Sequence, residues 1–260
     1  MAVAFYLFLW IAGSIVGFFS GLLGIGGGIL MFPLLLYGPP LFGLDLIGVK
    51  NITGLTMIQG FFASLSAMFF YQRHNLVNKT LVLTLGLSLF MSSLTGSFVS
   101  KVVPDKPLLF IFGGLALIAA VMMLIPRSYA KDELTEDKVS FHKATAITIG
   151  VSIGFLIGLV GQGGAFITIP LMLYVLKIPL RVALGSTLAI GLFSASAGLV
   201  GKIATGQVPF LMAVPLLIGA IPAAQLGSYV GKRTKTQYLR WLLAMIIMAT
   251  AVKIWADLFK

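Results

Sequence analysis

Long apolar stretches, cut by single charges and by clusters of glycine and proline, make up almost the whole chain. The first four long ones run from Ala2 to Leu23, Leu44 to Tyr71, Leu76 to Val103 and Pro107 to Ile125. A shorter one, Gly27 to Tyr37, follows the first. A bilayer-spanning helix needs about 20 apolar residues, within a range of about 17–25. The long runs therefore predict membrane helices, and the short one predicts an abbreviated helix. A polar stretch from Pro126 to Lys143 then carries Arg127, Lys131, Lys138 and Lys143 beside Asp132, Glu133, Glu136 and Asp137. After it the pattern restarts, with runs from Ala144 to Val160, Gly164 to Leu176 (short again), Arg181 to Ile203, Val208 to Gly231 and Tyr238 to Phe259. The first run lacks a positive leading region and an Ala-x-Ala-like cleavage site, so it reads as a retained helix, not a removed signal.

The restart is an internal repeat. Gly21–Tyr37 (GLLGIGGGILMFPLLLY) aligns without gaps on Gly158–Tyr174 (GLVGQGGAFITIPLMLY), with nine identities in seventeen positions. Downstream, GSFVSK at 96–101 matches GSYVGK at 227–232, and Ile52-Thr53 falls opposite Ser186-Thr187. Two similar halves, 1–125 and 144–260, joined by a linker at 126–143, are what a duplicated transporter fold shows. Composition agrees. Of the 260 residues 59% are hydrophobic and 10% charged, against roughly 45–50% and 25% in soluble domains. The mean hydropathy is +1.07. This excludes a soluble enzyme, a disordered chain and a soluble nucleic-acid binder. The net charge of +11 is scattered between apolar runs, where it sets membrane topology and does not signal nucleic acid. With no cysteine, disulfides, thiol chemistry and Cys-ligated metals are excluded.

Loop charges bear on the number of crossings. If the two short segments also cross, one face collects Arg73, Lys79, the four linker bases, Lys177, Arg181, Lys232, Arg233, Lys235 and Arg240. The other face keeps Lys50, Lys101, Lys106, Lys202, Lys253 and Lys260. That twofold bias is what the positive-inside rule expects, whereas eight crossings would divide the same bases evenly. Ten crossings make five per half. The predicted fold is therefore an all-α polytopic membrane protein of two inverted five-segment repeats, with a cytoplasmic linker and both termini outside.

Candidate chemistry concentrates in three places. Gly24, Gly26, Gly27 and Gly28 precede the first short segment, and Gly161, Gly163 and Gly164 precede the second. Such clusters let a helix end and a new one begin inside the protein. The new helix presents unbonded N–H groups and a partial positive charge, which bind anions. The alternative is close helix packing through small residues. The second place is early in the third run and its mate, where Asn51, Thr53, Thr56 and Gln59 face Ser186 and Thr187, with Gln162 and Gln225 as further candidates. Buried polar side chains of this kind are candidate ligands, or ordinary interhelix hydrogen bonds. Third, Lys50 and Arg181 begin corresponding helices and suit an anion vestibule. The alternative, which also covers Lys202, is a side chain snorkelling to the headgroups.

The absences are informative. No Asp or Glu lies in the middle of an apolar run, and His74 and His142 are at loops. Cation sites and carboxylate proton relays need such groups in the membrane. No nucleotide-binding loop is present. A substrate anion held by neutral donors and helix ends fits, and no cofactor or metal is expected. A negative-inside membrane favours anion export by about 2.3 kcal/mol per charge per 100 mV, so export needs no coupling ion.

GIGGGILMFP, GQGGAFITIP, VALGSTLA and YQRHNLVNK together resemble the TauE/SafE sulfite exporter family, in both halves of the chain. The resemblance implies transport of small sulfur-containing anions, such as sulfite, thiosulfate or sulfoacetate-like organosulfonates, across the cytoplasmic (inner) membrane. Family members are usually described with about eight helices, where the charge distribution here favours ten. The site expected from the glycine turns and polar residues lies between the halves. It takes in Gly24, Gly26, Gly27, Gly28, Asn51, Thr53, Gln59, Gln162, Gly163, Gly164, Ser186 and Thr187. The expected partners are the small anion and the lipid bilayer, with no nucleic acid and homo-oligomerisation left open. The competing readings are a proton-coupled anion importer, a carrier of an uncharged or cationic solute, and a non-transporting membrane subunit.

Overall fold

A computed structural model describes residues 2–72, 77–125, 141–161 and 164–258. Residues 126–140 of the polar linker, together with Gln162, Gly163, Arg73 and His74, lie outside the described residues. Those described form ten helices and no strand. The first half holds α1 (Ala2–Leu23), α2 (Gly28–Leu41), α3 (Val49–Gln72), α4 (Lys79–Val99) and α5 (Asp105–Leu124). The second holds α6 (Lys143–Val160), α7 (Ala165–Tyr174), α8 (Leu180–Ala204), α9 (Phe210–Arg233) and α10 (Thr236–Leu258). The apolar runs read from the sequence coincide with these helices to within a few residues.

Seven of the helices (α1, α4, α5, α6, α8, α9 and α10) are long and apolar enough to cross a bilayer. The molecule is thus a multi-pass membrane protein. At about 1.5 Å per residue, α2 and α7 extend only about 21 and 15 Å, short of a hydrocarbon core about 30 Å thick. The remaining helix, α3, is long enough but carries Lys50, Asn51, Thr53, Thr56 and Gln59. It tolerates them because it is central: from Ile52 to Gly60 every residue is buried. Its packing partner α8 is likewise interior, 78% buried across its apolar window against 33% for α1. On the outer helices, side chains such as Leu7, Ile11 and Ile15 of α1 and Leu211, Val214 and Ile218 of α9 are exposed, as a lipid-facing surface requires.

Close backbone approach binds the halves to each other. In α1, Gly13, Gly17 and Gly21 lie against the backbone of Leu216, Ala220 and Ala224 in α9. In α6, Gly150, Gly154 and Gly158 lie against Leu85–Ser88, Leu89–Ser92 and Ser93 in α4. The repeated GS[FY]V glycines do equivalent work, Gly96 against the Phe155 carbonyl and Gly227 against the Phe18 carbonyl. Small residues in a stripe let membrane helices pack at backbone distance, where dispersion replaces the absent hydrophobic drive.

These contacts also fix helix polarity. Residues 13, 17 and 21 of α1 meet successively later residues of α9, so the two run parallel. Gly54 meets Gln207 just before α9, and the Ser66 hydroxyl donates to Ile221 O, so α3 is parallel to them. Thr53, Met57 and Ser64 of α3 meet Lys202, Gly198 and Gly191 of α8 in reverse order, so α8 is antiparallel. Ser93 and Ser97 of α4 and Ser100 just after it meet Ser194, Gly201 and Lys202, so α4 runs parallel to α8.

A Cβ placed on Gly17 falls 2.6 Å from the Ala220 Cα. Gly17→Leu should therefore force α1 off α9 and lower the thermal midpoint of the purified protein by an amount equivalent to about 1–3 kcal/mol of overpacking strain. Exposed Ile15→Leu serves as the comparison and should leave the midpoint unchanged. Differential scanning fluorimetry in detergent checks both.

Candidate functional site

Both short helices begin at a left-handed glycine. Gly27 precedes α2 with φ 79° and Gly164 precedes α7 with φ 62°, and neither helix start has a side-chain cap. Upstream, Gly24 (φ 66°) ends the α1 region and Gly161 (φ 75°) ends α6, where its N–H donates to Ile157 O at 2.8 Å. The sequence repeat is thus a repeat of backbone conformation. Left-handed φ carries little penalty only for glycine, which explains why these positions match while Ile25 and Gln162 between them differ. Gly24, Gly26, Gly27 and Gly28 are all buried. Two helix N-termini, each worth about half a positive charge, therefore open inside the protein.

The α3 helix passes both turns with one polar face. Near the second turn, the Thr56 hydroxyl donates to Gly161 O, and also lies within reach of Ile52 O and Thr53 O. Less than one turn further along, about 4.5 Å by helix rise, Gln59 reaches the first turn. A Cβ built on Gly27 would stand 2.9 Å from both amide atoms of Gln59. Gln59 is fully buried, and among the described residues neither its Nε2 nor its Oε1 has a hydrogen-bond partner. Ser64, one turn on, is 1% exposed with an unpartnered hydroxyl, and it lies beside Gly26 and Gly191. A side-chain amide offers two donors and two acceptors, and leaving such a group unmet in the interior costs about 1–3 kcal/mol. An unmet amide at an uncapped helix start has donors of the kind that hold an anion.

The other sequence candidates are placed as follows. Thr53 is buried, and its hydroxyl donates to Lys50 O at 2.7 Å. Asn51 is half-buried. Ser186 is buried and accepts the Asn78 N–H at 3.0 Å, while the Thr187 hydroxyl donates to Ala183 O within its own helix. Lys50 is half-buried and donates to Lys101 O at 2.8 Å. Gln225 is exposed on α9, away from the others. The backbone of Arg181 lies in the first turn of α8. Among the described residues no three His, Asp or Glu side chains come together.

One reading from the sequence is corrected. Lys202, taken there for a side chain reaching the headgroups, is 0% exposed. Its Nζ donates to Ser100 Oγ at 2.7 Å, Thr53 Oγ1 at 2.9 Å, Gln207 Oε1 at 2.9 Å and Leu159 O at 3.4 Å. The sequence could not distinguish this from snorkelling, since the partners come from α3, α4, α6 and the stretch after α8. Ser64, Ser100 and Gln207 went unremarked for the same reason: serine and glutamine near apolar runs carry no pattern of their own.

The comparisons with known proteins follow the same lines. A probable membrane transporter protein of Methanocaldococcus jannaschii is 29% identical over 92% of this chain and 91% of its own length. The probable membrane transporter protein YunE of Bacillus subtilis is 25% identical over 94% of each chain. A third, from Xylella fastidiosa strain 9a5c, is 29% identical over 95% of each. No solved structure is a significant match. The family model described as sulfite exporter TauE/SafE matches residues 9–254. With that match over nearly its whole length, the chain belongs to the TauE/SafE sulfite exporter family and is a membrane transporter, not an enzyme.

Proposed function

We propose that this transporter moves small sulfur-containing anions (sulfite, thiosulfate or sulfoacetate-like organosulfonates) outward across the cytoplasmic membrane by alternating access. The observation that carries this reading is the first glycine turn, where an uncapped helix start meets the fully buried, unpartnered amide of Gln59. Neutral donors and a helix dipole compensate negative charge without fixing a cation in the membrane. Transport outward needs no coupling, because the membrane potential favours it by about 2.3 kcal/mol per charge per 100 mV.

The two halves, 1–125 and 144–260, are read as inverted repeats joined by the cytoplasmic linker 126–143, with both termini outside. Helix polarity supports this. With α1 and α3 parallel, the chain between them must travel back, and α2 with the stretch 42–48 makes that return leg. In the second half α7 with 175–179 makes the matching one. Five traversals per half place the second half upside down relative to the first. The site then lies near mid-membrane, where α3 and α8 cross between Met57 and Ser64.

Flux assays on the purified chain in liposomes test the proposal. Labelled sulfite, thiosulfate or sulfoacetate should move with the imposed potential, without a pH gradient. Flux that demands a proton gradient would make the chain an importer, and flux of none of the three would overturn the substrate class. Gln59→Leu should reduce flux at least tenfold. The same variant should leave the thermal midpoint unchanged or raised, since an apolar side chain removes an unmet amide worth about 1–3 kcal/mol. Undiminished flux in a folded Gln59→Leu protein would remove the amide from the site.

A further inference from the structure

Lys202 is a fully buried lysine whose four partners among the described residues are all neutral: two hydroxyls, one amide oxygen and one backbone carbonyl. Hydrogen bonding satisfies its three N–H donors, yet among the described residues no acidic side chain meets it. A buried charge is ordinarily paired or coordinated, because dipoles alone recover only part of the lost hydration. Its nearest charged company has the same sign. Lys50 lies one turn before Thr53 and donates to the carbonyl of Lys101, the residue after Ser100. Lys101 is exposed, Lys50 half-buried and Lys202 fully buried, so three cations form a graded inward series. Such an arrangement repels itself unless an anion enters it.

The surroundings give that anion a way in. Gln207 and Thr205 belong to the short stretch between α8 and α9, beside exposed Gly206. Gln207 holds both Lys202 and Thr205, through its Oε1 and Nε2. With four acceptors crowding three N–H groups, one can leave without stranding the ammonium. The same cluster touches the second glycine turn: Thr53 packs against Gly161, and Leu159 is the residue before the end of α6.

We propose that Lys202 is an anion-binding residue, the charged end of the substrate path, and that an oxyanion reaches it by displacing Gln207 or Ser100. Moving outward, the anion leaves past Lys50 and Lys101. In the topology proposed above this is the outer end of the molecule, distinct from the Gln59 turn. The inference rests on the reading that the chain carries anions.

Two measurements test it on the full chain in detergent. The first is a structure of the wild-type protein with selenite, whose selenium is located by its anomalous signal. A peak within hydrogen-bonded distance of Lys202 Nζ, about 3–4 Å from nitrogen to selenium, is expected. Selenium at the Gln59 turn and not at Lys202 overturns this inference while leaving the anion-carrier reading intact. Selenium at neither place, with no sulfite flux in liposomes, overturns both. The second measurement compares Lys202→Gln with wild type for divalent thiosulfate and monovalent methanesulfonate. A charge contact should weaken thiosulfate binding at least tenfold and methanesulfonate by a clearly smaller factor. Equal loss for both, or no loss in a folded variant, means that Lys202 only braces the helices. If Lys202→Gln does not fold, the selenite structure decides alone.

Discussion

A helix that starts inside a membrane protein must keep its first N–H groups enclosed, because lipid offers them no partner. This chain contains two such starts, at Gly28 and Ala165, and much of the remaining structure follows from sheltering them. The α3 and α8 helices run through the interior beside the turns. The outer helices α1, α4, α5, α6, α9 and α10 then screen that interior from lipid. Because α3 is enclosed from Ile52 to Gly60, it can carry a polar face that would be prohibitive on a lipid-exposed helix.

The glycine stripes are the means of closing the shield. They pair α1 with α9 and α6 with α4 across the halves, so each half's first helix is held by the other half's fourth. The halves are consequently interlocked, not apposed, and a rocking motion must carry interlocked pairs together. The turn glycines answer a different demand. They take left-handed backbone so that a helix can stop and another begin within a few residues, whereas the stripe glycines are helical and serve only proximity.

The polar groups fall into two types with different physics. Gln59 and Ser64 at the first turn are neutral and unmet. Lys202, beside the start of α3, has its donors saturated by neutral acceptors. Neutral donors beside a helix start bind an anion with little penalty when it leaves. A buried charge attracts from farther and releases less easily. On the proposed outward path, the neutral donors hold the anion weakly within and the lysine draws it toward the outer end.

Much of this was legible in the chain itself. The helices could be located because lipid demands runs of a set length, and that length is written directly as apolar residues. The repeat and its glycine turns were readable because left-handed backbone restricts the choice to glycine, which leaves identical letters at 24, 27, 161 and 164. Gln59 stood out because an amide in an apolar helix has few bland explanations. Other features were decided only by packing. Whether Gln225 or Gln59 faces inward depends on which helix covers which face. Lys202 gains its partners from residues 149 and 102 positions away, a meeting that no local pattern records. The sequence determined where helices start, stop and carry polarity, because those are local constraints of backbone and solvent. Tertiary structure alone decided which polar groups meet, because that depends on how helices distant in sequence cross.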